Sequence, residues 1–231
     1  MIPASSFSPQ KKATAIAVLF HVIGLTGILF FDRQLFVSLT PFNLLLSAGL
    51  LIYTQAEKNK AFFLFVLVCV VVGFTVEYIG VNHQLLFGEY EYLNAMGEQW
   101  QRVPLVIGVN WFIMMYCCGV SIQLFLNRMW NKLKDTDQPA RKNVGFIAVI
   151  LDAALLATFF DWVMEPVAVK LGWWKWLGDG SIPLLNYISW FGISALLLLL
   201  FRLLSFNKQN QFAVNLLLIQ FMFFLILRTV L

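Results

Sequence analysis

Seven long apolar runs fill most of this chain, at residues 13–31, 35–53, 61–80, 104–126, 144–164, 183–205 and 211–231. A membrane-spanning helix needs about 20 apolar residues, and the runs cluster around that length. Only 12% of the 231 residues are charged and 60% are hydrophobic, with a mean hydropathy of +0.79. That much apolar surface cannot all be buried in a water-soluble fold of this size. The expectation is an all-α integral membrane protein, about seven transmembrane helices in one domain covering 1–231, and not a soluble enzyme, a disordered chain or a nucleic-acid module. The net charge of +4 belongs to short loops, where Lys and Arg orient a membrane protein. The first run is not a signal peptide, because no small-residue cleavage site follows it and Asp32-Arg33 closes it. Run 35–53 is the weakest, being interrupted by Pro41 and Asn43.

The N-terminus and the loops after runs two, four and six hold eleven Lys and Arg, Lys134 among them, against five on the opposite side. The positive-inside rule then predicts a cytoplasmic N-terminus and an external C-terminus, in the cell (inner) membrane of a bacterium. Cys69, Cys117 and Cys118 lie inside apolar runs with no CxxC spacing, and His21 and His83 are the only histidines, so no zinc or His-rich metal site is expected. Glu77, Asp152, Asp161 and Glu165 lie within or at the edge of apolar runs. Carboxylates there are costly and are functional candidates by default.

Two stretches match each other. One reads Glu77-x-x-Gly80, then Gly88-x-Tyr90-x-Tyr92, Pro104 and Asn110-Trp111. The other reads Asp161, then Gly172-x-Trp174-x-Trp176, Pro183, Asn186-Tyr187 and Trp190. The carboxylate-to-glycine spacing is eleven in both. The match is read as a duplicated two-helix hairpin unit, helices 3-4 and 5-6, with each proline opening the returning helix. It predicts Glu77 and Asp161 at equal depth near the outer ends of two helices. Asn110, Trp111, Asn186, Tyr187 and Trp190 fall at a similar depth. Glu165, four residues after Asp161 on the same helix face and just before Pro166, marks either the site or the helix end. Asp152 lies deeper on the opposite face of that helix. His21 reads as a hydrogen-bonded structural histidine or as part of the lining. The aromatic alternation also fits an interfacial belt.

These residues resemble the CruF-type carotenoid biosynthesis membrane proteins. The resemblance is carried by Glu77-x-x-Gly80, Phe87-Gly88-x-Tyr90-x-Tyr92, Val103-Pro104 and Asn110-Trp111. It continues in Asp161-x-x-x-Glu165-Pro166-x-Ala168, Gly172-Trp173-x-x-Trp176 and Pro183-x-x-Asn186-Tyr187-x-x-Trp190. It implies a carotenoid hydratase, adding water across the terminal 1,2 double bond of an acyclic end group, with no redox cofactor or metal. The implied partners are a lipophilic carotenoid, membrane lipid and other carotenoid-pathway enzymes.

Such hydration needs a proton on C2 and water on C1, through a tertiary carbocation. Loss of water around a carboxyl disfavours its charged form, and a second carboxyl nearby disfavours it further. Glu77 and Asp161, with Glu165, are the expected acid and base. Asn110 and Asn186 would hold the water. Trp111, Trp190, Tyr90, Tyr92, Trp174 and Trp176 would face the cation, at about 0.5–2 kcal/mol per contact. Tyr187, His21 and Asp152 complete the predicted binding set. A carotene cyclase, which starts with the same protonation, and a proton-coupled transporter are the competing expectations.

Overall fold

The computed structural model describes residues 8–132 and 138–231, with the side chains of 138–144 left aside. Lys134, counted in the Lys and Arg balance, lies outside the described residues. Eight α-helices follow one another: α1 (Pro9–Phe30), α2 (Arg33–Ser38), α3 (Thr40–Thr54), α4 (Lys60–His83), α5 (Ile107–Lys132), α6 (Gln138–Leu171), α7 (Leu184–Leu203) and α8 (Gln211–Val230). Four short strands occupy the loops: β1 (Tyr90–Tyr92), β2 (Gln99–Trp100), β3 (Val103–Pro104) and β4 (Trp174–Trp176). Six helices are long and apolar enough to cross a membrane. The protein is an all-α membrane protein.

Side-chain caps set several helix starts. Asn59 accepts from Phe62 N at 2.9 Å to open α4, and Asn210 accepts from Phe212 N at 3.1 Å to open α8. Gln84 ends α4 in the left-handed conformation, with φ of 57°.

The second run is not one spanning helix. Asp32 caps α2 through Leu35 N at 3.0 Å, and the chain breaks at Leu39 before Pro41 opens α3. The 15 residues of α3 reach about 22 Å at 1.5 Å per residue, short of a hydrocarbon core of about 30 Å. Two further expectations are corrected. Pro104 sits in β3, and α5 starts three residues later. The helix carrying Asp161 does not stop at Met164; α6 runs through Pro166 to Leu171.

A proline inside a helix cannot bond the carbonyl four residues back. Here that carbonyl is Trp162 O, and Arg228 Nη1 on α8 donates to it at 2.8 Å. The guanidinium also lies 4.1 Å from the centre of the Trp162 ring. These contacts let α6 continue past Asp161 for more than two turns.

The hub is α5, about two-thirds buried, with an unbroken buried stretch from Trp111 to Val120. Glycines let it close on its neighbours: a Cβ at Gly108 would strike Val70 O, and one at Gly73 would strike the Trp111 side chain. At one end of the bundle, a polar layer, buried at Thr54, Gln55 and Asn210 and exposed at Asn59, ties the α3–α4 and α7–α8 loops together. Gln55 Nε2 donates to Asn207 O at 2.7 Å, Asn59 Nδ2 to Ser205 O at 3.0 Å, and Asn210 Nδ2 to Thr54 Oγ1 at 3.1 Å. Tyr116 donates to Gln55 Oε1 and accepts from Asn210. The other end is closed by the strands.

Candidate active site

At that closed end, β1 and β4 pair antiparallel, with Tyr90 opposite Trp176, Glu91 opposite Lys175 and Tyr92 opposite Trp174. The register is symmetric about Glu91 and Lys175, whose charged groups meet at 2.7 Å on the half-exposed side. Alternation along each strand sends the four aromatic side chains to the opposite, buried face.

Each strand grips one carboxylate. Tyr90 and Tyr92 donate to Glu77 Oε2 at 2.6 and 2.8 Å, and Trp111 Nε1 donates to Oε1 at 2.9 Å. Trp174 and Trp176 donate to Glu165 Oε2 at 3.1 and 3.0 Å. Burial first, and then the Glu77 charge, hold both phenols of β1 well above their ordinary range, so they stay protonated donors. The sequence match paired Glu77 with Asp161, whereas the strand contacts pair Glu77 with Glu165. The reason is loop length. Both glutamates lie six residues before the last residue of their helices, but six residues separate α4 from β1 and only two separate α6 from β4.

Asp161 sits one turn before Glu165 and is bridged to it by Asn186. The Asn186 amide donates to Asp161 Oδ2 at 2.7 Å and reaches Glu165 Oε1 at 3.5 Å. Asp161 Oδ1 is buried with no hydrogen-bond partner among the described residues. Trp111 and Trp190 stack at 4.2 Å, nearly parallel at 9°. Glu77, Asp161, Glu165, Asn110, Asn186, Tyr90, Tyr92, Trp174, Trp176 and Trp190 thus line one small cavity of about 20 Å³, together with Phe87, Ile107 and Met164. One water needs about 10–15 Å³ on this measure, so the space suits a single water molecule.

Beside it lies an apolar cavity of about 360 Å³, within the size range of ligand pockets. Ile107, Asn110, Met164 and Trp174 belong to both walls. The far wall brings in His21 and Gly24 of α1, Thr40 and Asn43 of α3, and Gln220 and Phe223 of α8. Ile23, Leu39 and Phe42, also in this wall, are exposed on the apolar outside of the bundle.

Not every predicted residue comes to these cavities. Asp152 is exposed on α6, and neither it, Tyr187 nor Trp111 lines either one, although Trp111 donates to Glu77. His21 lines the apolar cavity rather than the acidic one. Sequence reading missed Met164, Trp173 and Gln220 as lining residues. Only Gln220 carried a usable signal, being a polar residue in the middle of run 211–231. Among the described residues, no group of three His, Cys, Asp or Glu is arranged to hold a metal ion.

No curated protein and no solved structure matches the chain. A family profile described as carotenoid biosynthesis protein matches residues 39–231, a stretch that includes every residue of the acidic pocket and most of the apolar one. The match spans most of the chain, and on it the chain belongs to the carotenoid biosynthesis protein family.

Proposed function

We propose that this protein is a carotenoid hydratase that adds water across the terminal 1,2 double bond of an acyclic end group. The observation that carries the reading is Asp161 Oδ1, a buried carboxyl oxygen without a partner among the described residues, on a residue that lines a water-sized cavity sharing its wall with a large apolar one.

The hydrogen-bond inventory divides the roles. Both oxygens of Glu77 accept from donors, one of them a Trp N–H that can only donate. Glu165 Oε2 accepts from two Trp N–H groups. Asp161 keeps one oxygen unengaged, so Asp161 is the proton donor. Its proton goes to C2 of the alkene, and the π electrons form the new C–H bond. The tertiary cation at C1 lies where the two cavities meet, against the Trp174 face and within the field of the Glu77 carboxylate. Water then adds to C1, and the oxonium proton returns to the Asp161–Glu165 pair, so that the sum is one water gained. Asn110 and Asn186 orient that water. The end group lies in the apolar cavity, and the rest of the chain leaves past Ile23, Leu39 and Phe42 into lipid. In this reading the acidic pocket lies toward the external face of the cell membrane.

Expression in cells that accumulate lycopene or γ-carotene tests this. The expected products are heavier by one water and carry oxygen from labelled water. A product of unchanged mass would mean cyclisation, label from O₂ would mean a monooxygenase, and unaltered carotenoids would remove the enzymatic reading. Asp161→Asn is expected to lower product by about 10²–10⁴-fold, the usual worth of a general acid, with the protein still folded in the membrane.

A further inference from the structure

Two buried polar atoms on residues that line the apolar cavity are left unmatched by the acid chemistry. Gln220 Oε1 on α8 and Trp173 Nε1, next to β4, both lack a partner among the described residues. Both side chains are more than nine-tenths buried, and both line this cavity. Phe224, one turn beyond Gln220 on α8, meets the Trp173 ring edge-on at 5.8 Å. A third polar group faces the same space. His21 Nδ1 lies 2.8 Å from Ala17 O, which can only accept. In the neutral ring Nδ1 therefore carries the hydrogen, and Nε2 is an acceptor. Phe223 meets the His21 ring at 5.6 Å, so Phe223 and Phe224 hold α8 between His21 and Trp173.

An unpartnered buried polar atom costs free energy comparable to a lost hydrogen bond. A purely hydrocarbon ligand would leave both unpaired. A donor and acceptors on residues lining one cavity complement a single hydroxyl, which donates one hydrogen and accepts through its lone pairs. We infer that the apolar cavity contains a hydroxyl-recognising subsite for an isoprenoid chain. The ligand hydroxyl accepts from Trp173 Nε1 and donates to Gln220 Oε1, with His21 Nε2 as the alternative acceptor. The inference rests on the proposed isoprenoid substrate but not on the hydration step. The hydroxyl is either the one formed in the acidic pocket or one that the substrate already carries.

The test uses the full chain in lipid nanodiscs, with binding read from tryptophan fluorescence. The probes are geranylgeraniol and the same chain with hydrogen in place of the hydroxyl. The alcohol is expected to bind about tenfold more tightly, as two net hydrogen bonds allow. Gln220→Met, which keeps the volume, and Trp173→Phe are each expected to cut that preference to about threefold or less. Asp161→Asn is expected to retain it, so a failed hydratase assay and a failed subsite give different results. In turnover assays, Gln220→Met that relieves inhibition by the alcohol product assigns the hydroxyl to the product. A raised KM confined to a hydroxylated substrate assigns it to the substrate. Equal affinity of the unaltered protein for both probes, or a preference that survives Gln220→Met combined with Trp173→Phe, overturns the inference.

Discussion

At the residue scale, the geometry around Glu77 depends on what is missing beside it. Gly73 and Gly80 flank Glu77 four residues before and three after, on one face of α4. Gly73 admits the Trp111 side chain, and Gly80 admits Tyr90: a methyl group there would meet Tyr90 Oη at 2.7 Å and Phe87 at 2.9 Å. Two of the three donors to Glu77 therefore reach it over glycines. Gly80→Ala is expected to displace Tyr90, to lower thermal stability by about 1–3 kcal/mol, and to reduce product formation by at least tenfold. Gly49→Ala, with nothing within 4 Å of the added carbon, is the control. It should be neutral or stabilising by up to about 1 kcal/mol in thermal unfolding. The sequence displayed Glu77-x-x-Gly80 as a spacing but not its reason, because the space is taken by a side chain from another segment. The same limit explains the pairing of Glu77 with Asp161. Spacing to a glycine counts residues along the chain, and whether those residues are helix or loop decides which acid meets the aromatics.

At the element scale, periodicity and length located the long helices, and the misplaced boundaries have local physical causes. Run 35–53 reads as one apolar stretch because leucines and phenylalanines continue through the break at Leu39, just before Pro41 opens α3. At α6 the error is the reverse: Pro166 reads as a stop, and a cation from α8 removes the reason to stop. Arg228 on the Trp162 carbonyl and ring replaces the missing backbone bond. Arg228→Met should therefore destabilise by about 1–3 kcal/mol through a carbonyl left unpaired at an apolar surface. Pro166→Ala restores an N–H to that carbonyl, so the double variant should recover part of the loss. Thermal unfolding of the four proteins in detergent closes the cycle. Additive losses would mean that Arg228 does not compensate for the proline. By contrast, the half-exposed Glu91–Lys175 pair should matter little, with Lys175→Ala costing no more than about 1 kcal/mol.

At the scale of the whole molecule, the two polar layers sit at opposite ends of the bundle and differ in character. The layer built on Gln55, Tyr116 and Asn210 satisfies itself across two loops, whereas the acidic layer keeps an oxygen unpaired. The start of α1 and the end of α8 also lie at different ends of the bundle. Thr14 of α1 accepts from Asn215 near the start of α8, while Arg228 near the end of α8 contacts Trp162, which adjoins the acidic pocket. The orientation proposed from the Lys and Arg bias puts the Gln55 layer on the cytoplasmic side and the acidic layer outside. Cysteine labelling decides between the two orientations with little background, because Cys69, Cys117 and Cys118 are all buried. Asp179, in the loop after β4, and Gln209, in the α7–α8 loop, are both exposed. In intact cells a membrane-impermeant maleimide should modify Asp179→Cys and leave Gln209→Cys untouched until the membrane is opened. The opposite pattern would put the acidic pocket at the cytoplasmic face, so that its proton and its water would be drawn from the cytoplasm.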